Sequence, residues 1–377
     1  MRGARICAAT VLTLALAGCG DGSDPEGGPD SPGPSPTSEP TDASTQDPTG
    51  SPAPSGGTPE EPVVAEAQPG LMTWERVPGS VETTVVRGGP WSLSFPPDGH
   101  AARLQGPGAT TIQAPERYRV TDAFLDSTHA VVVSQDSLEQ RPAVADVVDL
   151  ATGEQSRVDG RSDVPTTTGG TWALGEGLLL HASIGPARAY CLATVELASG
   201  RSQADWCAPK RHGFTSARIT PAGTALMTFD DQQPSCRTVA AVEGASLTPF
   251  PGLPDCTAWE GLVLPDDGAV WSTIPSERRI EEARFHARIG DGYFDLGAGT
   301  SGTLTWCGGA AYFVRDPQAD DDRARLLRWS PGGALDIVYE SEGRGQAFLS
   351  EPRCGGDQIT VTAFARSGDE QVTAPTG

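Results

Sequence analysis

The chain has 377 residues, with 49 acidic against 27 basic side chains and a net charge of −22. That excess of negative charge excludes the basic footprint nucleic acid requires and works against docking on anionic headgroups. Gly (46) and Pro (33) are frequent enough for turns to punctuate the chain throughout,.

At the N-terminus, Arg2 and Arg5 precede an apolar run from Ile6 to Ala17, closed by Leu16-Ala17-Gly18-Cys19. A charged start followed by a short apolar run engages the secretion machinery, and the run is shorter than the about 20 residues a spanning helix needs. Arg2 and Arg5 are not adjacent, so no twin-arginine signal is present. These residues resemble the lipobox of bacterial lipoproteins. The resemblance implies a signal peptide over 1–18, cleavage before Cys19, and modification of the Cys19 sulfur by diacylglycerol. Fatty-acyl chains such as palmitate would then hold the chain in the lipid bilayer, on the outer face of the cell membrane. The alternative is an ordinary cleaved signal in which Cys19 is incidental.

From Asp21 to Gly70 the chain holds twelve Pro and ten acidic residues and no basic one. Such a segment buries too little apolar surface to offset its ordering entropy, so 19–70 is expected to be the lipidated Cys followed by a disordered tether. Extended as polyproline II it spans about 155 Å. Ser and Thr beside Pro leave O-glycosylation open.

Residues 71–377 differ in kind, with β-branched and aromatic runs alternating with Gly, Pro, Asp and Ser turns. Helical periodicity is confined to one stretch, Glu277 to Ile289. Seven times an apolar segment enters a Gly- or Asp-rich turn and is followed at once by a second strand, from Trp91–Phe95 through Ala123–Asp126, Thr171–Leu174, Ala217–Thr220, Gly261–Leu264 and Leu304–Trp306 to Ala347–Leu349. The turn glycines Gly177, Gly223, Gly268, Gly309 and Gly356 lie 46, 45, 41 and 47 residues apart, a propeller period. Second hairpins recur at Val148–Gly153, Val195–Gly200, Ile289–Gly292 and Ser330–Gly333. The turns resemble those of quinoprotein-like and YVTN-type β-propellers, and the resemblance implies a fold but no activity. The expectation is an all-β, seven-bladed β-propeller over 71–377. A six-bladed ring remains the alternative because the interval after Gly99 is short, and Val81 to Val86 is expected to complete the last blade. A plain β-sandwich is the competing architecture.

Beyond the signal and lipobox, six Cys remain, an even number that reads as disulfides outside the cytoplasm. The repeat frame sets Cys191 opposite Cys207 across one outer hairpin and Cys236 opposite Cys256 in the next blade. It also places Cys307 and Cys354 one blade apart near the axis. No close Cys pair favours zinc.

Loops expected on one face carry mixed charge: Lys210, Arg211, Asp230, Asp231, Arg278, Arg279, Asp320, Asp321 and Asp322. They are candidate binding residues for a protein or envelope-polymer partner, against the plainer reading of solvated loops. The Asp316 and Asp320–Asp322 group lacks the alternating spacing that aims carboxylates at one calcium ion. The five His are scattered, and His129 and His181 lie beside inner strands. No Gly-x-Ser-x-Gly elbow or phosphate loop occurs. No catalytic residue, metal site or cofactor is assigned. The inner strands read as mainly Trp, Ser, Thr, Leu and Phe, so a binding or scaffold module is expected. The alternative is an enzyme of lactonase or quinone-dependent dehydrogenase type with its site in the channel.

Overall fold

Short β-branched runs separated by Gly and Asp turns fold into four-stranded antiparallel meanders, each too small to bury its faces unless stacked on its neighbours. The computed structural model describes residues 62–377; the expected signal peptide over 1–18, Cys19 and the segment to residue 61 lie outside the described residues. Seven such sheets form a ring. The fold is a seven-bladed β-propeller.

Blade 1 comprises Thr84–Gly88, Trp91–Phe95, Ala101–Gln105 and Thr110–Gln113; blades 2 to 4 follow without interruption, ending at Pro249. Blade 5 begins at Ala258, blade 6 at Thr305 and blade 7 at Ala347. The first strand of each blade faces the axis, where first strands meet one another. First-to-second and third-to-fourth hairpins then turn on one face, and the remaining loops lie on the other.

The N-terminal segment runs as a strap around the outside. Val63–Val64 pairs in parallel with the outer strand of blade 5, and Gln68–Pro69 does the same on blade 6. Glu75–Arg76 then pairs antiparallel with Glu370–Pro375 as the outermost strand of blade 7. Trp74 fixes the strap by donating from Nε1 to the Val338 carbonyl at 2.8 Å and packing edge-on against Tyr339. The ring is therefore closed by a strand from each end of the folded region.

Four expectations need correction. The ring's first strands precede residue 70, because Ala65, Ala67 and Met72 pack against the core of blades 5 to 7 despite their Pro-rich setting. The closing strand is Glu75–Arg76, whereas Val81 to Val86 leads into the inner strand of blade 1. Trp91–Phe95 is a second strand, paired with Thr84–Gly88. The first turn is thus at Gly89 and not Gly99, which removes the short interval that favoured six blades. Glu277 to Ile289 holds one 3-10 turn, Ile280–Glu282, then the strand Arg284–Ile289, whose alternate residues Phe285 and Ala287 are fully buried.

Six apolar clusters fill six of the seven spaces between blades. Phe285 and Phe313, stacked at 4.2 Å, centre the one between blades 5 and 6. Among the described residues the seventh space, between blades 7 and 1, holds no such cluster. There the strand Gln358–Ala365 turns Ile359, Val361 and Ala363 toward blade 6. Alternation sends Thr360 and Thr362 the other way, joined by Gln371 and Thr373, all four buried. Gln371 donates to Thr362 Oγ1 at 2.9 Å and to the Thr83 carbonyl at 3.2 Å. At the axial end of this seam the backbones touch: a Cβ on Gly88 would lie 1.8 Å from the Gly355 carbonyl oxygen, so only glycine fits.

All three disulfides form with the pairing the repeat frame sets. Cys191–Cys207 staples the outer hairpin of blade 3, Cys236–Cys256 that of blade 4, and Cys307–Cys354 joins the inner strands of blades 6 and 7.

Candidate functional site

An inner strand sends alternate side chains to the two flanking blades, so a side chain reaches the axis most readily where alternation breaks. Three inner strands are bulged, and each bulge ends on a charged residue: Asp122 in blade 2, Arg218 in blade 4 and Glu260 in blade 5. In blade 7 the inner strand is split between Leu349 and Arg353, and the gap carries Glu351. Four irregular strands thus bring five charges together.

Arg353 Nη1 donates to Asp122 Oδ1 at 2.7 Å, and its Nη2 lies 3.2 Å from Glu351 Oε2. The other Glu351 oxygen lies 3.3 Å from Arg218 Nη2, and Arg218 Nε donates to the Leu304 carbonyl at 3.2 Å. Glu260 accepts from the Gly302 amide at 2.8 Å, the Leu304 amide at 3.1 Å and the Ser272 hydroxyl at 3.2 Å. Blade 7 is thereby tied to blades 2 and 4, neither of which is its neighbour. Protein surrounds the group closely, yet a quarter to a third of the four linked side chains still meets solvent.

Burial pushes the Glu260 carboxyl above its ordinary range, against the pull of Arg218 and the two amides. It lifts Asp122 in the same direction, against Arg353. For Arg353 burial opposes the charge, but Asp122 and Glu351 outweigh it and hold the guanidinium firmly protonated. Both Arg353 Nη atoms and all three Arg218 nitrogens point at protein acceptors. The two guanidinium groups pair with Asp122 and Glu351, and Glu260 is held by two amides and a hydroxyl, which makes the group a strut across the axis with little left to offer a ligand. Sequence reasoning missed it because the expectation of apolar inner strands assumed regular alternation. The available signal was a charge inside otherwise apolar inner-strand segments.

The predicted loop residues do share one face, spread from the blade 3–4 loop to blade 6. They do not converge. Arg211 Nε donates to Asp231 at 2.6 Å, which raises the Arg211 pKa and lowers that of Asp231. Asp230 caps its own loop by accepting from the Cys236 amide at 2.8 Å. Arg279 is bidentate to Glu282, and that hydrogen bonding raises its pKa. Asp322 lies 3.1 Å from Arg325, and the Asp321 carbonyl accepts from Arg344. Lys210 and Arg278 are exposed, and Asp320 lies against Gly345. Asp316 accepts from the Thr300 hydroxyl at 2.8 Å and stands apart from the Asp320–Asp322 run. No three His, Cys, Asp or Glu side chains gather as a metal-ligand set among the described residues.

His129 and His181 sit on second strands, off the axis. His129 bonds Thr128 at 2.8 Å, and His181, fully buried against Trp172, is kept neutral by burial.

No protein-family model matches the chain, and no curated protein is similar to it in sequence. Among solved structures, it is similar to the β-propeller domain of the Trilobed protease from Pyrococcus furiosus. The two are 8% identical with a TM-score of 0.53, over 78% of this chain and 95% of that one. An acylaminoacyl peptidase from Pyrococcus horikoshii aligns at 8% identity and a TM-score of 0.46, over 70% of this chain and under half, 46%, of its own length. A catalytically inactive virginiamycin B lyase from Staphylococcus aureus aligns at 12% identity and a TM-score of 0.48, over 80% and 99% of the two chains. At such identities the likeness to the first concerns the fold, and the other two add nothing to it.

Proposed function

We propose that this chain is a lipid-anchored extracytoplasmic module that binds a protein or envelope-polymer partner through the surface of its ring, without catalysing a reaction. The observation that carries this reading is the axial strut: the channel, where propeller enzymes gather reactive groups, is occupied by charged side chains already bound to one another or to the backbone. Three disulfides support an oxidising compartment,. The lipobox at Leu16–Cys19 supports the anchor. Labelling cells with a palmitate analogue tests it: the wild type should take up label and sediment with membranes, and Cys19→Ser should do neither. An unlabelled wild type would refute the anchor.

One observation favours the alternative, a channel enzyme of lactonase or quinone-dependent dehydrogenase type. Glu260 is a buried carboxyl with a raised pKa beside an arginine, a combination found in catalytic acids,. Turnover of a lactone or an alcohol by the wild type, lost in Glu260→Gln with folding intact, would establish it.

A further inference from the structure

The two faces of the ring differ in charge. The face formed by the first-to-second and third-to-fourth hairpins carries seven carboxylates in its turns and no Arg or Lys. None of the seven belongs to an ion pair among the described residues. On the opposite face both signs occur and pair locally, as Arg211–Asp231 and Arg279–Glu282 do.

Two adjoining grooves open on the acidic face. The first, of about 360 Å³ between blades 3 and 4, has Leu178, Leu180, Leu192 and Val242 on its floor and Glu196, Arg201 and Asp205 on its walls. Thr224 and Val242 also line the second, of about 450 Å³ between blades 4 and 5. Its floor includes Val263 and Leu264, and Glu243, Asp266 and Asp267 rim it. Five carboxylates line the two grooves around apolar floors, of which Glu243, Asp266 and Asp267 are exposed and Glu196 and Asp205 half-buried. Their one cation, Arg201, is bound to Glu196 at 2.7 Å. The first groove runs beside the outer strand of blade 3, Arg201–Cys207, whose far edge carries no strand among the described residues, whereas the strap covers blades 5 to 7.

We infer that this double groove docks an extended basic segment of a partner protein, its apolar side chains on the floors and its Lys or Arg against the rims. Charge complementarity selects that occupant. The chain's own segment 21–70 has no basic residue, and a second copy carries the same net charge of −22, so both are repelled,. Anionic lipid and nucleic acid are repelled likewise. Asp266 and Asp267 both take left-handed φ, 57° each, a hairpin turn at which Asn-Gly is the usual choice,. Two like charges are thus held side by side at the groove.

The inference goes beyond the proposed function, and its test does not depend on the anchor. The detergent-solubilised full chain is titrated with a fluorescent eight-residue peptide alternating Lys and Leu, with Glu–Leu and Lys–Ser peptides as controls. Binding of the Lys–Leu peptide alone is expected, weakening about tenfold in Asp266→Asn/Asp267→Asn, since Asn accepts the same φ. The opposite-face variant Glu116→Gln/Glu139→Gln, at two exposed loop carboxylates, should bind like the wild type. No binding, equal binding of the Lys–Ser peptide, or an unchanged affinity in the Asp266/Asp267 variant would each overturn the docking groove.

Discussion

Blades 5 and 6 meet through stacked phenylalanines and a dozen or more buried apolar side chains, whereas blades 7 and 1 meet through Thr360, Thr362, Gln371 and Thr373. Six interfaces are held by apolar burial, which is non-directional and roughly proportional to area. The seventh has Val85 as a buried apolar side chain outside those clusters and relies more on hydrogen bonds, whose net contribution is about 1 kcal/mol each. The devices that compensate all converge on blade 7: the strap outside, the Cys307–Cys354 disulfide, and the axial strut through Glu351 and Arg353. A ring built from repeats thus holds its ends together by means the repeats themselves lack.

The difference sets a ranking of expected effects. Phe313→Ala should destabilise most, by about 3–5 kcal/mol, since it opens a cavity in a filled interface; urea unfolding measures it. Replacing Cys307 and Cys354 by Ala should cost about 2–4 kcal/mol and raise hydrogen exchange in blade 7 above that in blade 3. Arg353→Met removes one partner of an enclosed pair and leaves Asp122 and Glu351 facing each other. Because about a quarter to a third of these side chains meets solvent, the loss should be about 2 kcal/mol, below the usual range for fully buried pairs. Thr362→Val, in the seam, should change stability by about 1 kcal/mol or less. A loss there as large as that of Phe313→Ala would erase the distinction between the two kinds of interface.

The smallest effect concerns pH. Burial holds Glu260 above its ordinary pKa, so the folded ring takes up this proton more readily than the unfolded chain. Its contribution therefore favours folding at low pH and is lost as pH rises through the folded value. Glu260→Gln should flatten this part of the pH dependence of Tm. An unchanged slope would show that folding leaves the Glu260 pKa where it is in the unfolded chain.

Much of the ring was legible because propeller hairpins depend on residues that state their purpose locally. Gly177, Gly223 and Gly356 take positive φ at the turns where the repeat set them, and the three cysteine pairs follow from that frame. The phase of blade 1 was not legible. Pro97-Asp98-Gly99 has the composition of a first turn but joins the second strand to the third, and local chemistry does not number strands. The strap escaped because its pairing partners lie more than 200 residues away. The axial charges escaped for a related reason: a bulge at Asp122 or Arg218 is defined by the partner strand's register, which no single segment contains. The loop charges do share one face, but their neutralisation by near neighbours follows only from loop conformation.

The strap also fixes a mechanical order. A load applied from the N-terminal side reaches Val63–Val64 on blade 5 first, then Gln68–Pro69 on blade 6, and only then Glu75–Arg76, the strand that closes the ring. Two short pairings therefore yield in turn before tension arrives at the joint between blades 7 and 1. They act as shock absorbers in series, and the interface without an apolar cluster is the last to feel a pull.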